Sequence, residues 1–145
     1  MTTTTESVAR ESVNKQWLEA IFRQAGYEIS ELPGMPGEAF GAKHPTMPNR
    51  IVNILPTGII SFRSIYGAKP GGFGSKKEFE HEVEQANRES FLDTFYLDKD
   101  GDLWISSYIF VTDHMTGADV LRFLELEHSS FMLEVAKTGL VKHLK

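Results

Sequence analysis

The chain contains no cysteine, which excludes disulfides, thiolate zinc sites and a thiol nucleophile. No apolar run approaches the roughly 18 residues that a membrane-spanning helix requires, and no membrane association is expected. Basic residues are in deficit: 15 Lys and Arg stand against 20 Asp and Glu, for a net charge of −5. Phosphate affinity needs clustered cations, so no nucleic-acid partner is expected either. The stretch MTTTTESVARESV lacks the basic start and apolar segment of a secretory signal, which makes the cytoplasm the expected location. Catalytic signatures are also missing. There is no G-x-S-x-G elbow. The glycine-rich stretch GAKPGGFGSKK, from Gly67 to Lys77, carries Phe73 where a phosphate loop needs lysine. It reads as a loop between elements, with a weak anion or partner site as the alternative. No catalytic residue, cofactor or metal is assigned, and the chain is expected not to be an enzyme.

What is present is enough apolar material for one domain of 145 residues. Residues Met1 to Ser7 read as a flexible polar arm, and residues 8–145 as a single α+β domain. From Val8 to Ala25, the residues Val13, Trp17, Ile21 and Ala25 recur at helical spacing with Leu18 and Phe22 beside them. Gly26 follows as the stop. Tyr27–Leu32 and Glu38–Lys43 could each be a short strand among the turns marked by Pro33-Gly34 and Pro36-Gly37. Arg50–Leu55 and Ile59–Tyr66 read more clearly as strands. Ser75-Lys76-Lys77-Glu78 is a capping box opening a second helix with Phe79, Val83 and Ala86 as its apolar stripe. Thr116-Gly117-Ala118-Asp119 caps a third, which runs into the 130s and loosens near Gly139. The predicted order is α-β-β-(β)-α-β-β-α, with a mostly antiparallel sheet packed with helices.

The centre of this arrangement is Asn87 to Val111. Asp100-Gly101 between two apolar runs is a strong hairpin signal, because a two-residue type I′ turn needs φ > 0 at both central positions. That turn sets Lys99 opposite Asp102, Leu97 opposite Trp104 and Phe91 opposite Phe110. One face of the ribbon then carries Phe91, Phe95, Leu97, Trp104, Tyr108 and Phe110. The other carries Leu92, Tyr96, Leu103, Ile105, Ile109 and Val111. Neither face suits water, so the ribbon is expected to be covered on both sides. Phe95, Trp104, Tyr108 and Phe110 are the candidate partner-binding residues, weighed against plain core packing.

Two patterns suggest metals and are set aside on spacing. Asp98, Asp100 and Asp102 match the first ligands of a calcium loop, but Leu103 and Ile109 occupy the positions that need glycine and glutamate. Glu78–His81 and Glu125–His128 are Glu-x-x-His motifs, two of which make a di-iron site only with a Glu from each of two further helices, and only three helices are expected. The first pair falls opposite its helix stripe, while His128 falls on the apolar face of its own helix. His128 is read as a core or interface histidine with a hydrogen-bonded nitrogen.

The segment from Glu84 to Gly117 resembles the YbjN family of proposed bacterial sensory-transduction regulators. The resemblance rests on Asn87-Arg88 closing a helix, Phe91 and Tyr96 in the next strand, and Asp98-Lys99-Asp100-Gly101-Asp102-Leu103 at the turn. The strand beyond and Gly117 before the last helix complete it. It implies a fold like that of type III secretion chaperones, a homodimer, no catalytic apparatus, and a regulatory or chaperone-like role in binding a polypeptide partner. A dimer would also cover the apolar residues that spread around the last helix, among them Leu126, Met132 and Leu133. The alternative is a small-molecule-binding module with its pocket beside the aromatic ribbon.

Overall fold

In the computed structural model, residues 5–35, 38–67, 76–90 and 92–138 are described. The elements are β1 (Ser7–Val8), α1 (Lys15–Gln24), β2 (Glu28–Glu31), β3 (Glu38–Lys43), β4 (Arg50–Leu55), β5 (Ile59–Tyr66), α2 (Lys76–Glu89), β6 (Thr94–Leu97), β7 (Leu103–Phe110), β8 (Met115–Thr116) and α3 (Gly117–Thr138). Six strands form one sheet in the order β2-β3-β4-β5-β7-β6, and β1 pairs with β8 in a separate two-stranded sheet. The β1–β8, β2–β3, β3–β4 and β6–β7 pairs are antiparallel. The α+β class expected from the sequence is correct. Both uncertain segments, within Tyr27–Leu32 and Glu38–Lys43, are strands, so four strands rather than two or three separate the first two helices.

The chain divides into two compact units, Met1–Phe62 with Tyr108–Leu126, and Arg63–Ser107 with Glu127–Lys145. Each has its own apolar core.

In the first unit, α1 packs on β2 and β3. It starts at Lys15, not at Val8 as the periodicity suggested. Asn14 is extended, and its side-chain oxygen accepts the Trp17 N–H at 2.9 Å, which places the cap there. The chain before it spends Ser7 and Val8 on pairing with Thr116 and Met115, then makes a short 3₁₀ turn at Arg10–Ser12. At its far end α1 stops as the sequence predicts. Gly26 adopts φ +93°, its N–H donates to Arg23, and the Tyr27 N–H donates back to Phe22. This is a Schellman closure, which only a residue tolerant of the left-handed region makes cheaply. Lys15 anchors the first turn, donating to Glu31 at 2.8 Å; that hydrogen bond raises its pKa above the ordinary lysine value. The core gathers on Phe22, which contacts Tyr27 at 4.9 Å, Phe40 edge-on at 5.5 Å and Phe62 at 6.3 Å between ring centroids. Leu18, Ile21, Val52, Ile60, Val120 and Leu124 complete it with almost no exposure.

In the second unit, α2 presents Phe79, Val83 and Ala86 to Phe95, Leu103 and Ile105, with Phe131 and Val135 of α3 in the same cluster. The stripe read from the sequence is the buried one. Ser75, the proposed cap of α2, and the glycine-rich loop from residue 68 lie outside the described residues, as do residues 1–4 of the N-terminal arm, Phe91 and Gly139. The α3 cap is as predicted: Thr116 Oγ accepts the Asp119 N–H at 3.1 Å, and the Asp119 carboxylate accepts the Thr116 N–H at 3.0 Å.

Candidate functional site: the open face of the aromatic hairpin

The hairpin differs from expectation by one residue. Observed partners are Thr94–Ser106, Phe95–Ile105, Tyr96–Trp104 and Leu97–Leu103. The loop is therefore three residues, Lys99-Asp100-Gly101, closed by hydrogen bonds from the Gly101 N–H to the Asp98 carbonyl at 3.1 Å and from the Asp98 N–H to the Asp102 carbonyl at 3.0 Å. A type I′ turn would need positive φ at Asp100 as well. Only Gly101, at φ +83°, has it. The turn is a type I turn followed by a left-handed glycine, the usual three-residue alternative.

The cause is Asp98. One oxygen of its carboxylate accepts the N–H groups of Asp100 at 2.9 Å and Asp102 at 3.0 Å, and the other accepts the Trp104 indole N–H at 2.8 Å. The Trp104 hydrogen bond is the largest influence holding the Asp98 carboxyl below its ordinary pKa, followed among the lowering contacts by the backbone N–H groups of Asp102, Asp100 and Gly101. The three aspartates that suggested a calcium loop thus include one that serves as the organising acceptor of the turn.

A shift of one residue reverses the faces of a strand. Phe95 does not share a face with Trp104. It pairs with Ile105, is 2 % exposed, and packs against Phe131 with ring centroids 6.3 Å apart. Leu103, Ile105 and Ser107 are buried along β7, while Tyr108 and Phe110 are exposed. Nor is the ribbon covered on both sides. Of the four candidate residues, Trp104, Tyr108 and Phe110 lie at alternating positions of β7 away from the buried face, and Phe95 belongs to the core.

Within the second unit, Tyr96 and Trp104 stack at 5.9 Å and 11° between planes, and the Arg63 guanidinium carbon lies 5.4 Å from the Trp104 ring centroid. Such stacking is worth about 0.5–1.5 kcal/mol beyond burial. Tyr96, expected on one face with Leu103 and Ile105, instead pairs with Trp104 and is 40 % exposed. Within the first unit, Tyr108 and Phe110 meet edge to face at 5.8 Å while 56 % and 65 % exposed. Among the described residues, neither pair belongs to an apolar core cluster.

The outer edge of β6 is occupied by a side chain. The Asn87 amide donates to the Phe95 carbonyl and accepts the Phe95 N–H, both at 2.7 Å. The resemblance pointed to Asn87 but not to what it does. The sequence also missed four buried carboxyl groups, those of Glu82, Asp93, Glu127 and Glu134. They lie within helical or polar stretches where surface acids are the ordinary expectation. Among the described residues no group of acids and histidines is placed to hold a metal. His81 is exposed. His128 is half-buried, and its Nδ1 is shielded with no hydrogen-bond partner among the described residues.

Two cavities bear on ligand binding. One of about 280 Å³ beside the hairpin turn is lined by Phe79, Glu80, Leu97, Asp98, Lys99 and Gly101. The other, in the first unit, is about 180 Å³ and is lined by Tyr27, His44, Met47, Leu121, Leu124 and their neighbours. His44 Nδ1 accepts the Thr46 and Met47 N–H groups at 3.1 and 3.2 Å, which places any ring proton of the neutral imidazole on Nε2.

No protein-family model matches the chain, and no curated protein matches it. Among solved structures, the crystal structure of YbjN from E. coli, a proposed transcription regulator, matches with a TM-score of 0.68 over 91 % of this chain and 95 % of that one. The chain has the YbjN fold. The identity is 13 %, so the likeness to YbjN lies in the arrangement of helices and strands. The YbjN resemblance read from Asn87, Tyr96 and the Asp98–Leu103 turn is thus matched at the level of fold. Among the described residues no helix is long and apolar enough to cross a membrane.

Proposed function

We propose that the protein is a non-enzymatic regulatory or chaperone-like protein that captures a polypeptide partner through the aromatic side chains its sheet leaves in solvent. The observation that carries this reading is the exposure of Tyr108 and Phe110 on a strand whose alternate residues are buried. Contiguous exposed aromatic surface is costly in water and is characteristic of binding sites. The regulatory part draws on YbjN, whose description is that of a proposed transcription regulator. The acidic balance of the chain favours a protein partner over nucleic acid. A cytoplasmic homodimer belongs to the same proposal, and Met132 and Leu133 of α3, 53 % and 61 % exposed, are the apolar residues a second copy would cover. The small-molecule reading would use the 280 Å³ cavity beside the turn.

The test is affinity capture from the host with the wild-type chain and with a Tyr108→Ser, Phe110→Ser double variant, together with native mass spectrometry. Wild type should retain a specific polypeptide that the equally folded variant loses. Undiminished capture by the variant, or a small bound molecule in place of a polypeptide, would overturn the reading.

A further inference from the structure

The open face of the second unit shows what chemistry the partner would carry. Arg63 on β5, Trp104 on β7 and Tyr96 on β6 lie on three strands that are neighbours in the sheet. They form a ladder: guanidinium over indole at 5.4 Å, indole on phenol at 5.9 Å. Among the described residues no carboxylate forms an ion pair with Arg63. Its Nε is shielded and, among the described residues, has no hydrogen-bond acceptor. The acid nearest in sequence to Trp104 that bonds to it is Asp98, whose two oxygens are taken by the indole N–H and two backbone N–H groups. Asp98 fixes the indole and forms no ion pair with Arg63 among the described residues.

An arginine held over an aromatic ring keeps rim N–H donors that suit a carboxylate in a two-point geometry. Cation–π attraction positions the guanidinium without consuming those donors. The flat Tyr96–Trp104 stack beside it suits an apolar side chain.

We propose that Arg63, Trp104 and Tyr96 form a recognition site for an acidic residue of the partner polypeptide, with the carboxylate on the Arg63 guanidinium and a neighbouring apolar side chain on the Trp104–Tyr96 stack. This rests on the polypeptide-binding reading above and names the chemistry of the segment bound.

The probe is a blocked synthetic peptide, acetyl-Ser-Phe-Asp-Phe-Ser-amide, against the same peptide with Asn in place of Asp. Binding is followed through the Trp104 indole N–H resonance, assigned with Trp104→Phe. The acidic peptide should bind about ten-fold more tightly, the scale of one charge-assisted hydrogen bond, and added salt should narrow the difference. Arg63→Gln should erase the preference while leaving the Asn peptide unaffected. Arg63→Lys, which keeps the charge but loses the fork, should fall between them and covers the case in which Arg63→Gln does not fold. Equal affinity for the two peptides, or a preference that survives in Arg63→Gln, would overturn the proposal. Failure of both peptides to bind while Tyr108 and Phe110 still govern capture would overturn this site alone. Loss of that dependence would instead remove the polypeptide-binding reading on which it rests.

Discussion

The side chain of Asn87 completes the hydrogen bonding of Phe95, taking its N–H and giving to its carbonyl, each at 2.7 Å. β6 is the last strand of the sheet. An uncovered edge is a template for another chain, and here an amide from α2 fills the place a further strand would take. Asn87→Ala should cost about 1–3 kcal/mol, because it leaves both backbone groups without their partner. Urea unfolding measures the cost, and faster hydrogen exchange at the Phe95 amide identifies its location.

Phe95 and Phe110 should respond in opposite ways. Phe95 is 2 % exposed and shares its cluster with Phe131, Leu103 and Ile105, so Phe95→Ala should cost about 3–5 kcal/mol. Phe110, 65 % exposed, should tolerate Phe110→Ser within about 0.5 kcal/mol. Thermal melts of the two variants decide whether the hairpin register is as described, since the two-residue turn would set Phe95 and Phe110 on one face and make the two variants respond alike.

Gly101→Ala offers a clean measure of backbone strain. Nothing lies within 4 Å of where its Cβ would stand, yet the residue holds φ +83°. The expected loss is about 1–2 kcal/mol, and Gly101→Asn should recover part of it, since asparagine visits this region more readily. An alanine variant as stable as wild type would mean that the turn has another conformation.

Asp98 gives a pH prediction with a definite sign. Its folded pKa lies below the ordinary 3.8. Its contribution to stability is therefore fully present above the unfolded value and is lost as pH falls through the folded one. The Trp104 indole N–H resonance should stay unchanged from neutrality to about pH 4 and move only below 3.8. In Trp104→Phe, the largest cause of the shift is gone and the Asp98 midpoint should rise toward 3.8, as carboxylate NMR would show.

Much of the architecture is legible from periodicity and caps. Trp17, Leu18, Ile21 and Phe22 announce a buried helix face, Gly26 its end, and Thr116 with Asp119 the start of α3. The hairpin is legible as a hairpin but not in its register, because a left-handed glycine serves both the two-residue and the three-residue loop. What separates them is where the Asp98 carboxylate binds, a side-chain choice that alternation of apolar residues does not record. The same limit explains the candidate site. Trp104, Tyr108 and Phe110 stand out by residue type, whereas Arg63 lies on another strand and joins Trp104 only when the sheet is assembled. Asn87 likewise reaches Phe95 across eight residues, from a helix to a strand edge.

Every contact of the Asp98 carboxylate falls within six residues of it. Closing so short a loop costs little chain entropy, and loops and hairpins of this size form in microseconds or less. The ribbon from Thr94 to Phe110 thus carries within its own sequence the instructions for its turn, whereas the Phe22 cluster must wait for Phe40 and Phe62 to arrive from farther along the chain. The stacking of Tyr96 on Trp104 depends on contacts local to the ribbon, so the aromatic platform is specified by one short stretch of chain.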